Sequence, residues 1–241
     1  MRLPSRAVTL LAVAAMPFAL SACSGGSSSG TGASAGQGKA KAAAAAPLTG
    51  TQLKKALAPA SSFPAGFTMA SDGAVDSGGQ LQDQAAQKSG KPDCTRLEGT
   101  SWIQVTGFQG GRSFAQNDYS NKAKTETLAQ EIDAFDGTTA QSVMKAVQSV
   151  ATQCATFTDT DAHAKVNVTS KATAGLGDEA YTLTEKSAAW QNGTTLIAAR
   201  SGKTVVTVLS TAGSDNGAAS AKKLATEILA SLKKIEGAKS A

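Results

Sequence analysis

The apolar residues of this chain fall in bursts, and the spacing inside each burst sets the element it predicts. The clearest burst follows residue 138, where Val143, Val147, Val150 and Cys154 recur at i, i+4, i+7 and i+11, with Met144 and Ala151 widening the stripe. This predicts a helix capped by Asp136 or Thr138, its cysteine pointing inward. A second helix is predicted to open at Ser214 or Asp215, with Ala221, Leu224, Ile228, Leu232 and Ile235 on one face. A short one follows a Thr49 or Thr51 cap, carries Leu53 and Leu57, and stops at Pro59. Pro92-Asp93 ahead of Cys94 predicts one further helical turn, to about Glu98.

Alternating apolar and polar positions mark the strands. Six are predicted, over 112–121, 127–135, 165–171, 179–190, 194–200 and 203–211. The second fits both periods, since Leu128, Ile132 and Phe135 match a helix while Glu-Ile-Asp-Ala-Phe at its end alternates; it is assigned as a strand. Gln191-Asn192-Gly193 and Ser201-Gly202-Lys203 are tight-turn signals that make the last three strands a meander. Phe63 to Met69 reads as extended, and 70–91, rich in Gly, Gln, Asp and Ser, as a long surface loop. The order of elements predicts an α+β domain, an antiparallel sheet of about six strands flanked by helices.

The first 46 residues follow another pattern. Arg2 and Arg6 precede an apolar run from Ala7 to Leu20, which has the charged start and short hydrophobic stretch of an export signal. It is too short to span a bilayer, which takes about 20 apolar residues. Leu20-Ser21-Ala22-Cys23 then has the form of a lipobox, so cleavage is predicted after residue 22, with Cys23 fatty-acylated, palmitate included, as a lipid anchor. A secretory signal with a chance cysteine is the simpler alternative. Residues 24–46 are Ser, Gly and Ala with no bulky apolar side chain, and cannot offset the entropy of ordering. The predicted organisation is a signal peptide over 1–22, a lipidated cysteine and disordered tether over 23–46, a folded domain over 47–236 and a disordered tail over 237–241. The expected place is the outer face of the cell membrane, in the cell envelope.

Charge and cysteines narrow the reading. Removing residues 1–22 takes two of the 23 basic residues and none of the 18 acidic ones, leaving a surplus of three. So weak and scattered a surplus gives no nucleic-acid footprint. With Cys23 assigned to lipid, Cys94 and Cys154 remain, and in an oxidising exterior they are predicted to form a disulfide bond. A metal pair is the rival reading, but a single histidine is available to complete a site.

Several segments in order resemble a known family, the PknH-type extracellular sensor domains of mycobacterial receptor kinases and free-standing actinobacterial lipoproteins. They are Leu53-Lys-Lys-Ala-Leu57 with Phe63-Pro64-Ala65-Gly66-Phe67 after it, Cys94, Asp133-Ala-Phe135 leading into the helix that ends at Cys154, Gly175-Leu-Gly-Asp-Glu-Ala180, Thr204-Val-Val-Thr-Val208 and the closing helix. The resemblance covers roughly residues 48–236. It implies a twisted antiparallel sheet flanked by helices, with a cleft for an extracellular ligand. The kinase members carry a second cysteine pair that has no counterpart here.

Candidate chemistry is sparse. His163 lies in Asp159-Thr-Asp161-Ala-His163, read as a solvated loop between helix and strand rather than a metal cluster, and no Gly-x-Ser-x-Gly elbow accompanies it. Asp178-Glu179, between glycines and a strand, reads as a turn into that strand. Gly107-Phe-Gln-Gly-Gly111 lacks the helix that a phosphate loop needs. Trp102, Tyr119 and Trp190 are large amphipathic aromatics, each simplest as packing, and the candidates for ligand contact if a cleft binds something apolar or a sugar. The expectation is a non-catalytic, membrane-anchored lipoprotein with a sensor-like domain for an unknown small extracellular or envelope ligand, without cofactor or metal. The alternative is a structural or protein-interaction lipoprotein of the envelope.

Overall fold

In the computed structural model, which describes residues 46–76, 91–106 and 111–239, eight strands form one sheet. They are β1 (Phe67–Asp76), β2 (Gly111–Asn121), β3 (Thr127–Phe135), β4 (Thr156–Asp159), β5 (Ala164–Ala172), β6 (Glu179–Lys186), β7 (Thr194–Ser201) and β8 (Thr204–Ser210). The order across the sheet is β1-β2-β3-β8-β7-β6-β5-β4, every pair antiparallel. Two meanders, β1 to β3 and β4 to β8, therefore meet at the β3–β8 seam. The export signal, Cys23, the tether and residues 240–241 lie outside the described residues.

Helices cover both faces. α1 (Gly50–Ala56) and α4 (Ala218–Lys239) lie on one, while α2 (Trp102–Thr106) and α3 (Thr139–Gln153) lie on the other. Strand alternation divides the core accordingly. Leu128, Ile132, Ala134, Val206, Val208, Ile197 and Ala199 pack under α1 and α4. Ala129, Phe135, Val205, Leu209, Leu196, Ala198, Leu183, Val166 and Val168 pack under α2 and α3. α3 buries Val143, Met144, Val147 and Val150, the stripe read from sequence, and each such side chain contributes roughly 1.5–3 kcal/mol. α1 begins with a capping box in which Thr49 and Gln52 exchange bonds. No described helix is long and apolar enough to cross a membrane.

The sheet exceeds the expected six strands by two, and the two are its edges. β1 continues to Asp76 where a loop was expected from residue 70, with a register shift between Met69 and Ala74; residues 77–90 lie outside the described residues. β4 has four residues, two of them exposed. An edge strand buries little, so it leaves little apolar alternation to read. The stretch expected as a solvated loop between helix and strand is the end of β4 and a hairpin turn into β5. β6 stops at Lys186 rather than Trp190, and Asn192-Gly193 belongs to a longer connection in which the Gly193 amide donates to Asn216 Oδ1 at 2.9 Å. The two-residue turn is at Gly202-Lys203, between the paired Ser201 and Thr204. α4 runs to Lys239, past the boundary expected at 236.

Candidate functional site

The centre of β3 presents polar groups to both faces, and the two sides are treated differently. Toward α1, Gln130 is fully satisfied: Oε1 accepts the Ala58 amide at 2.9 Å, while Nε2 donates to Ala58 O at 2.9 Å and Asn117 Oδ1 at 2.7 Å. That network fixes the segment after α1 onto the sheet. Toward α2 the same strand turns Glu131 and Asp133, only 3% and 1% exposed.

The loop into α2 lies over this pair. Thr100 donates its hydroxyl to Glu131 Oε2 at 2.7 Å, and the Ser101 side chain also bonds that carboxyl. Neither oxygen of Asp133 accepts from a donor among the described residues; its polar neighbour is the Glu131 carboxyl, and two carboxyls can bond only by sharing a proton. Burial pushes the Asp133 carboxyl well above the usual carboxylate range, and the adjacent Glu131 pushes it further. Burial also raises Glu131, against the bonds from Thr100 and Ser101, with the Asp118 charge adding to the rise. Thr207 stands directly across from Glu131 on β8, and both its hydroxyl and the Trp102 Nε1–H are buried without a partner among the described residues.

A disulfide ties this cover down. Cys94 opens a 3-10 turn, Cys94–Glu98, and bonds Cys154 at the end of α3 with Cα atoms 5.5 Å apart, as expected from sequence. Segment 91–106 is thereby held to α3 on one side and, through Thr100, to β3 on the other.

A second acidic group lies at the β4–β5 turn. Glu98, Asp159 and Asp161 bring carboxylate oxygens within 4.8 Å of one another. Asp159 is already engaged: Oδ1 accepts the amides of Asp161 and Ala162 at 2.8 and 3.0 Å, and Oδ2 accepts the Trp190 indole N–H at 2.7 Å. Burial alone would raise its carboxyl, but these bonds and the nearby His163 hold it below the usual range. Its role is that of a turn organiser. His163, exposed and left-handed at φ +49°, closes the same turn.

The three aromatic candidates do not converge. Trp102 is 1% exposed in the α2–α3 layer, and Tyr119, 3% exposed, stacks on Phe63 in the opposite layer at 3.7 Å between ring centroids. Trp190 is half-buried beside Asp159. Asp178 and Glu179 both hold Arg200, at 2.8 and 3.3 Å, as expected of a turn leading into a strand. Glu131 and Asp133 were not among the sequence candidates. Their one signal is the alternation of Glu-Ile-Asp-Ala-Phe, which equally fits a strand with a solvated acidic face.

No protein-family model matches this chain, and no characterised protein matches it in sequence at a significant level.

Proposed function

We propose that this chain is a lipid-anchored extracytoplasmic protein whose domain binds a small polar ligand without transforming it. The observation that carries the reading is a set of buried polar groups beneath α2 with bonding capacity left over among the described residues: the Asp133 carboxyl, which can bond the neighbouring Glu131 carboxyl only by sharing a proton, the Thr207 hydroxyl and the Trp102 indole N–H. Each buried group left without a partner costs roughly 1–3 kcal/mol, so such a set is retained where some state of the protein uses it. Donors and acceptors occur together, which suits a polar ligand better than an apolar one. The resemblance to PknH-type sensor domains supports the same class of function, and Leu20-Ser21-Ala22-Cys23 supports the anchor.

Tryptophan fluorescence tests the binding reading, because the chain has two tryptophans and Trp190→Phe leaves Trp102 as the sole reporter. Envelope extracts and wall fragments are titrated in, and mass spectrometry identifies small molecules retained by the purified protein. A saturable change at Trp102, abolished in Asp133→Ala, is expected. If no fraction perturbs Trp102 and nothing is retained, the structural or interaction lipoprotein becomes the better account. The anchor is tested separately: Cys23→Ala is expected to move the protein from the detergent phase to the medium, and a wild type already soluble would remove the lipid from the proposal.

A further inference from the structure

Charge is sorted between the two faces of the domain. α1 and α4 carry seven lysines and two glutamates, whereas the rest of residues 47–241 carries 12 basic and 16 acidic residues. The sorting extends into the sheet. Asp118, Glu131, Asp133, Asp159, Glu179 and Glu185 turn toward the α2–α3 side, and Arg200, which turns the same way, is neutralised there by Asp178 and Glu179. Lys165, Lys171 and Lys186, exposed on β5 and β6, all turn toward the α4 side.

The outward surface of α4 concentrates this charge. Lys222, Lys223, Lys233 and Lys234 are exposed, and at 100° per residue they fall within a sector of about 120° that contains no acid. The two pairs are eleven positions apart, three turns or about 16 Å. Between them the exposed positions are Thr226 and Ala230, with no bulky apolar side chain to insert into lipid. The buried stripe Ala221, Leu224, Ile228 and Leu232 is spent on the sheet. Lys54 and Lys55 extend the surface from α1, which packs beside α4 and is the first element after residue 46.

We infer that the α1–α4 surface docks the domain onto an anionic bilayer, with the α2–α3 face turned away from it. This rests on the anchoring at Cys23 proposed above, since a lipid there makes the membrane the nearest large surface and the tether enters the domain at α1. The contact is electrostatic: each lysine near an anionic lipid surface contributes about 1 kcal/mol, or roughly fivefold in partitioning, within a Debye length.

The test uses residues 23–241 with Cys23→Ser, so that no acyl chain contributes. The protein is sedimented with vesicles of phosphatidylcholine alone and with vesicles containing equal parts of phosphatidylglycerol. Binding only to the anionic vesicles is expected, weakening as salt rises. Lys222→Ala with Lys233→Ala, which keep good helix formers on an exposed face, should lower partitioning about 25-fold at low salt. Lys145→Ala, on the exposed side of α3, should leave it within about twofold, as expected for a charge facing away. Equal binding to both vesicles, equal losses in the two variants, or binding to soluble wall polymer but not to vesicles would each overturn the inference. Because the chain tested has no lipid, a failure here is separate from a failure of the Cys23 anchor, which the fractionation of Cys23→Ala reads.

Discussion

The indole N–H of Trp190 donates to Asp159 Oδ2 at 2.7 Å, and that bond ties the connection after β6 to the short edge strand β4. The same carboxyl accepts two backbone amides of the hairpin turn, so one buried side chain holds an edge that four residues of β4 could not hold alone. Asp159→Ala leaves three donors unserved and is expected to cost roughly 2–4 kcal/mol in denaturant unfolding. The pH dependence has a definite sign. The folded carboxyl titrates below its unfolded value, so its stabilisation is present above the unfolded pKa and is lost as pH falls through the folded one. Asp159→Asn should remove that part of the acid limb.

Glu131 and Asp133 act in the opposite direction. Both are raised by burial, Asp133 the more, so the folded state holds protons that the unfolded state releases. Their contribution is fully present below the unfolded pKa and is lost as pH rises through the folded values. Asp133→Asn replaces a buried acid by an amide of the same shape that can donate to Glu131. It is expected to raise stability by roughly 1–3 kcal/mol near neutral pH and to flatten the decline that sets in as pH rises above the unfolded carboxyl pKa. Thermal midpoints across that range check it, and a variant less stable than wild type at neutral pH would show that the ionised form is the one the fold prefers.

The disulfide and the cover over Glu131 are one device. Cys94 and Cys154 close a separation of 60 residues, and Thr100 reaches Glu131 from the segment that Cys94 anchors. Replacing both cysteines by alanine is expected to cost roughly 2–5 kcal/mol. If the cover depends on the bond, hydrogen exchange should accelerate in 94–106 more than in α4, which lies on the opposite face of the sheet. Alkylation of the unfolded but unreduced protein should label neither cysteine; labelling of both would contradict the bond.

What was legible in the sequence follows burial. The stripes of α3 and α4 were plain because one face of each is fully buried, and β7 and β8 because they lie at the centre of the sheet, whereas β3, central as well and buried on both faces, fitted both periods. β1 and β4 were missed because edge strands lack a buried row on one side. Asn192-Gly193 is locally a hairpin turn, but Asn216, 23 residues further on, claims the Gly193 amide and the connection opens into a longer loop. Glu131 and Asp133 could not be recognised as buried, since what covers them is the five-residue α2 and its flanking loop, too short to leave a period. The three aromatics were readable as packing but not as members of opposite layers, because the face a strand residue joins depends on pairings far along the chain.

Two left-handed positions in the turns separate conformational tolerance from crowding. His163 has φ +49° and is exposed, with its neighbours' amides already served by Asp159, so the side chain itself is dispensable. Glycine is at ease in that region, and His163→Gly is expected to leave stability within about 0.5 kcal/mol of wild type or to raise it slightly. Gly177 has φ +61°, and a Cβ there would sit 2.2 Å from the Arg200 carbonyl oxygen, which is backbone in the middle of the sheet and cannot step aside. Gly177→Ala therefore combines an unfavourable φ with a backbone clash at the turn where Asp178 and Glu179 hold Arg200. A loss above about 2 kcal/mol is expected, on the scale of the larger single-residue effects. Parallel denaturant titrations of the two variants decide it: comparable losses would mean that the backbone around Gly177 yields, and a large loss for His163→Gly alone would give that histidine a structural or chemical role.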